Sequence, residues 1–222
     1  MRYIVVDLEM NNAGKKNRRQ GYAPSEVIEI GAVLLDENFT EISAFRTYVK
    51  PQLCSRILPN ITSLTGITDT MVKNAPPFKE AFQMFTDWCL GTGTDFAIYS
   101  WSPSDYLQIA KEMQLKNYEP EERERIITDV PWQDFQKVFD EHLGFERQIS
   151  LSTALDMAGL EFEGRAHDAL YDARNTAALF SAFHDPDMFE KTLQKIKDVM
   201  MPSPLENSLG NMFDFSKIVL EG

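Results

Sequence analysis

The chain has 222 residues, 43% hydrophobic and 25% charged, the profile of a globular fold that buries its own core without disulfides. Its 34 acidic and 22 basic side chains leave a net charge of −12, which excludes a general basic coat for nucleic acid but allows an acidic pocket filled by cations. No apolar run approaches the roughly 20 residues of a membrane helix, and the first, residues 3–6, leads straight into Asp7 and Glu9, so neither a signal peptide nor a membrane partner is expected and a cytoplasmic location is the default.

Residues 3–8 read as a short buried strand and residues 27–35 as a second, with Gly31 inside it. Between them lies a longer segment, 11–24, with a basic cluster of Lys15, Lys16, Arg18 and Arg19. That cluster suits either the phosphates of a nucleic-acid strand or plain solvent. Residues 43–49 form a third, roughly alternating strand after a hairpin turn at 36–41, and residues 51–60 are loop. Segments 60–65 and 68–74 predict two short helical turns broken at Gly66. The spacing of Phe78, Phe82, Phe85 and Leu90 predicts a helix over 78–90, opened after Pro76-Pro77 and stopped by Gly91. Cys54 and Cys89 lack a paired metal-type spacing and are expected as buried free thiols in a reducing compartment.

A fourth strand is predicted at 96–99 and a helix at 104–115. The charged stretch 117–125 carries Pro120 and reads as an exposed connection, followed by a short fifth strand at 126–129. Helices follow at 132–142 and 151–158, the second capped by Ser150 or Ser152 and ended by Gly159. Residues 169–183 make the clearest helix, with Asp168 as N-cap, and a last helix runs from Pro186 to about Met200. No structure is assigned to the Pro- and Gly-bearing tail after Pro202. Three strands followed by alternating helices and strands imply an α/β layer fold on a mixed sheet, antiparallel at its start and parallel in its continuation. Residues 1–184 form one domain in this reading, with 185–222 a helix and tail packed on it or extending from it.

Asp7 and Glu9 stand two apart on the first strand, so both carboxylates project to one face. Two acids on a buried strand repel and are costly to desolvate, which a divalent cation with oxygen ligands would offset. Alone, so short and common a pattern reads more readily as a strand end with two solvated acids. His167 precedes the 169–183 helix and Asp172 sits in its first turns, placing an acid beside a side chain suited to deprotonating water near neutral pH, although an isolated His there reads first as a helix-flanking residue with no catalytic role. His142 and His184 lie near helix C-termini, where an imidazole complements the dipole, and are read as structural. Asp105 follows the fourth strand and opens a helix, a position equally natural for a functional group and for a helix N-terminal acid.

Taken in order, D-x-E on the first strand, an Asp after a later strand and H-x-x-x-x-D into a helix resemble the DEDDh (DnaQ-like) 3′→5′ exonucleases. Glu26-Val27-Ile28-Glu29-Ile30-Gly31-Ala32-Val33 looks like that family's second strand, and Leu64-Thr65-Gly66-Ile67 like its L-T-G-I segment. Arg165-Ala166-His167 through Asp172-Ala173-Arg174-Asn175 is most like the KapD-like, histone-mRNA and small-RNA 3′-end trimming subgroup. The resemblance implies a ribonuclease-H-like five-stranded sheet flanked by helices and hydrolysis with two divalent ions, Mg²⁺ or Mn²⁺. Asp7, Glu9, Asp105 and Asp172 would be metal ligands and His167 the general base. Met10, Leu64 and Ile67 would line the nucleotide pocket, although the residues alone read as core. The implied partners are 3′ ends of single-stranded RNA or DNA, with no nucleotide cofactor. Ser104 stands where the RNA-trimming subgroup often has Trp, with Trp101 three residues earlier, which leaves base stacking and the RNA preference open. A binding module that kept the fold, and a nuclease limited to very short oligonucleotides, are the competing readings.

Overall fold

The apolar run near the start of the chain becomes the middle strand of a five-stranded sheet. The fold was obtained as a computed structural model and is described for residues 1–12, 25–91, 93–145 and 147–200. The basic cluster at 15–19 and the tail after Pro202 lie outside the described residues. Strand β1 (Arg2–Asn12) pairs antiparallel with β2 (Ser25–Leu35), which pairs antiparallel with β3 (Glu41–Tyr48). On its other side β1 pairs parallel with β4 (Phe96–Ser100), which pairs parallel with β5 (Gln133–Asp134). The order β3-β2-β1-β4-β5 is therefore mixed, as the strand and helix sequence implied.

Helices α1 (Pro59–Thr65), α2 (Asp69–Val72) and α3 (Phe78–Leu90) follow β3, and α4 (Ser104–Leu115) and α5 (Glu122–Thr128) follow β4. After β5 come α6 (Phe135–Leu143), α7 (Leu151–Ala158), α8 (Ala169–His184) and α9 (Pro186–Met200). The alternation of β1 separates two cores. Ile4, Val6 and Leu8 join Phe78, Phe82, Phe85 and Ile109 on one face. Val5 points the other way, to Phe135, Phe139, Leu155, Ala173 and Phe180 on the helices α6, α7 and α8. Asp7 and Glu9 continue the row of Val5, so the strand's period of two aims both carboxylates at the side that α8 covers.

Four expectations are corrected. Residues 126–129 are not a strand: Ile126, Ile127 and Thr128 belong to α5, because Glu121 and Glu124 close a reciprocal capping box that starts a helix. The same helix takes up half of the expected exposed connection, and Glu124 within it is 2% exposed. The fifth strand is Gln133–Asp134, and the following helix starts at Phe135 with Asp134 accepting from the Lys137 N–H. Cys89 is buried and burial raises its thiol above the usual range, whereas Cys54 is only half-buried.

Candidate active site

The five expected polar residues come from four places in the fold: Asp7 and Glu9 from β1, Asp105 from α4, His167 from the loop before α8 and Asp172 from α8 itself. The β1–β2 register shifts at Glu9/Met10, a bulge of the kind that re-aims side chains at sheet positions near functional sites. Asp7 faces Gly31 across the ladder. A Cβ on Gly31 would lie 2.2 Å from the Ala169 carbonyl carbon and 2.3 Å from the Leu170 nitrogen, so only glycine lets α8 begin directly on β2. Parallel pairing of β4 with β1 ends at Val6↔Ser100, and the Leu8 N–H beyond it donates to Asp105 Oδ1 at 3.2 Å. Asp105 thus takes the place of a strand partner while its carboxyl, 4% exposed, sits beside the D-x-E pair.

The first turn of α8 is pinned from three directions. Asp168 caps it by accepting from the Tyr171 N–H at 3.3 Å. Arg46 on β3 reaches Glu29 Oε1 at 2.6 Å and Asp168 Oδ2 at 2.7 Å, and Glu29 Oε2 accepts from the Ala169 N–H at 3.2 Å. Buried Asn175 accepts from the Glu163 N–H at 2.8 Å and donates to the Glu163 carbonyl at 2.9 Å, fastening the incoming loop to the helix. His167 takes a left-handed φ of 62°, uncommon for a residue with a Cβ, and its N–H donates to Asp172 Oδ2 at 2.9 Å. The strain is held by this bond and by the neighbouring cap.

Asp7, Glu9, Asp105, His167 and Asp172 line one cavity of about 340 Å³, with Met10, Trp101 and Leu151 as its apolar wall. Ligand atoms of Glu9, His167 and Asp172 lie within 4.8 Å of one another. Burial, then Asp105 and Asp172, hold the Asp7 carboxyl well above the usual carboxylate range. Burial and then Asp172 push Glu9 up to about 8, and burial pushes Asp105 up to about 7 against the opposing N–H of Leu8. Burial also raises Asp172, opposed by the His167 N–H. Asp172 Oδ1 is buried with no hydrogen-bond partner. A crowded set of oxygen donors, each disfavouring ionisation and one of them orphaned, suits a divalent cation.

Met10 lines the cavity, but Leu64 and Ile67 do not. Leu64 is 46% exposed, and Ile67, at 1%, packs with Ile28, Ile57 and Val72. Trp101 and Leu151 were not singled out as cavity residues from the sequence. Trp101 is half-buried against Phe135 and Phe139, at ring separations of 6.0 and 6.1 Å. A larger cavity of about 480 Å³ between α4 and α5 is walled by Tyr106, Tyr118 and Trp132 and carries none of the five residues.

A mixed sheet whose central strand carries the D-x-E pair into an acidic cage closed by α4 and α8 puts the chain among nucleases of ribonuclease-H-like fold. The exonuclease family model RNase_T matches residues 4–180, and the chain belongs to that family. Human 3′-5′ exoribonuclease 1 is 30% identical over 162 residues, covering 69% of this chain and 45% of that protein. Mouse ERI1 exoribonuclease 2 is 30% identical over 236 residues, covering 93% of this chain and 32% of that protein. The chain therefore spans less than half the length of these relatives. Among solved structures, the nuclease domain of 3′hExo bound to rAMP shares the fold with a TM-score of 0.69 at 23% identity, over 82% of this chain and 90% of that one. Escherichia coli exonuclease I in complex with a dT13 oligonucleotide gives 0.61 at 17% identity, over 85% and 42%. No helix among the described residues is long and apolar enough to cross a membrane.

Proposed function

We propose that the chain is a two-metal-ion 3′→5′ exonuclease that shortens single-stranded nucleic acid, RNA in preference to DNA, and releases nucleoside 5′-monophosphates. The observation that carries this reading is the buried, unpartnered Asp172 Oδ1 beside Glu9 and His167. Asp7, Glu9 and Asp172 would hold one divalent cation, and Asp7 with Asp105 a second. Oxygen-dominated ligation favours Mg²⁺ or Mn²⁺ over zinc. Bound there, the cations supply charge neutralisation at the attacking and leaving oxygens of an in-line displacement.

The chain's own groups do the rest. His167, exposed at the rim, takes a proton from the attacking water at its free ring nitrogen. The water oxygen bonds to the phosphorus of the last linkage while the bond from phosphorus to the preceding 3′ oxygen breaks, and that oxygen takes a proton from solvent, leaving a shortened strand with a 3′ hydroxyl. Met10 and Trp101 give the terminal nucleoside an apolar wall, and the exposed Leu64 lies on the flank that precedes Gly66. The preference for RNA draws on the names of the human and mouse relatives, both exoribonucleases.

Matched 5′-labelled RNA and DNA, single-stranded and duplex, digested with Mg²⁺ or with chelator, test the proposal. A metal-dependent ladder shortening from the 3′ end, faster on single-stranded RNA, is expected. Intact RNA in Mg²⁺ and Mn²⁺ would refute it. A second reading, restriction to very short oligonucleotides, is favoured by the net charge of −12, which repels a long polyanion outside the cavity. It predicts that kcat/KM falls as the strand lengthens at low salt. Equal values for short and long strands would exclude it.

A further inference from the structure

Arg165 stands two residues before His167, exposed, on the loop that leads into α8. Its Nη2 donates to the carbonyl oxygens of Ser63 at 2.8 Å and Leu64 at 3.1 Å, near the end of α1. Gly66 makes room for it: at φ +79° an added Cβ would fall 2.2 Å from Arg165 Nη1. The guanidinium is therefore held across the gap between α1 and the His167 loop by neutral partners.

Three arginines touch α8 or the loop before it, and they differ in what faces their charge. Arg46 is tied to Glu29 and Asp168, and Arg174 to Glu41. Arg165 has no carboxylate partner among the described residues. Carbonyl anchors fix a guanidinium without cancelling its charge, and they leave Nε and Nη1 as donors. In a chain of net charge −12, an oriented, uncompensated arginine two residues from His167, which lines the acidic cavity, has a clear electrostatic use. Its fork matches two oxygens of a phosphate.

On the exonuclease reading, we propose that Arg165 receives a phosphate of the substrate strand next to the linkage being cut. It steers an anionic strand into a cavity whose own walls are acidic. Because its anchors are the carbonyls of Ser63 and Leu64, the phosphate contact also sets the distance between α1 and the His167 loop in the bound state.

The test compares wild type, Arg165→Gln and Arg165→Lys on a short single-stranded RNA in Mn²⁺ across a KCl series. Each phosphate neutralised on a single strand contributes about 0.7 to the slope of log affinity against log salt. Arg165→Gln should flatten the slope of log kcat/KM by about 0.7 and raise KM roughly 5- to 10-fold, whereas Arg165→Lys keeps the slope. An Arg165→Gln chain with wild-type slope and KM overturns the proposal. So does a fall confined to kcat with the slope unchanged, since Arg165 would then be a bracket for α1 alone. A second measurement uses the unaltered chain: phenylglyoxal modification of Arg165, mapped by mass spectrometry, should be blocked by excess RNA with Ca²⁺ replacing Mn²⁺. Modification at the RNA-free rate contradicts the contact whatever the variants do. Wild type that leaves RNA intact sinks the exonuclease reading, whereas digestion by wild type with no salt or KM change in Arg165→Gln sinks the phosphate contact alone.

Discussion

Asp7 shares a strand face with Glu9 and lines one cavity with Asp105 and Asp172, so without a cation burial and then these acids disfavour its carboxylate. The site is therefore built at a cost in stability, as functional clusters commonly are. Asp7→Asn should lower nuclease activity by more than about 100-fold, since even outer-shell changes at metal sites cost 10- to 100-fold. In EDTA the same variant should melt about 2–4 °C higher, the shift for ~1 kcal/mol of relieved repulsion in a chain of this size. Unchanged melting in EDTA would mean that the carboxylates do not repel. A pH effect follows from Glu9. A carboxyl whose folded-state value is raised stabilises the fold while protonated, so its contribution is complete below about 4.5 and is lost as pH climbs through about 8. The metal-free chain should thus lose melting temperature over that window. Mg²⁺ should restore most at the alkaline end, because ligation requires the deprotonated carboxyl. Parallel melting curves with and without Mg²⁺ from pH 5 to 8 would contradict this.

At the scale of elements, α8 and the loop that leads into it carry two of the five residues, and the helix's register on the sheet is set by Gly31 and the Glu29–Arg46–Asp168 bridge. Glu29 is 0% exposed, so Arg46→Met leaves a buried carboxyl with the Ala169 N–H but without its cationic partner. A loss of ~1–3 kcal/mol in urea denaturation is expected, together with weaker Mn²⁺ binding as the first turn of α8 shifts. Wild-type Mn²⁺ affinity in Arg46→Met would detach the bridge from the site. The same scale shows what the chain reveals locally. The helices at 78–90, 104–115 and 151–158 were legible to the residue; Pro77 and Gly91 bracket the first, and the Ser150 cap and Gly159 bracket the third. Residues 126–129 misled because β-branched Ile126, Ile127 and Thr128 suggest a strand, while the capping box that overrides them is made by side chains upstream. The true edge strand, Gln133–Asp134, is two polar residues long and has no alternation to read. The bridge itself was invisible, since Arg46 and Asp168 are 122 positions apart.

Across the whole molecule, residue types and their order along the chain announced the five polar side chains, but only the fold brings Asp7 and Asp172 into one cavity. Trp101 and Leu151 also line it; Trp101 stands near the Asp105 motif in sequence, whereas nothing in the local sequence of Leu151 marks it. Ile67 shows the opposite case, a motif residue whose side chain the fold turns into the core. The central claim is that these distant side chains make one cage for a pair of divalent ions. Titrating Mn²⁺ into the chain in the presence of AMP, followed by electron paramagnetic resonance, measures this directly. The account predicts two bound ions per chain for the wild type and loss of both in Asp7→Ala; no binding at millimolar Mn²⁺, or wild-type stoichiometry in Asp7→Ala, would contradict it.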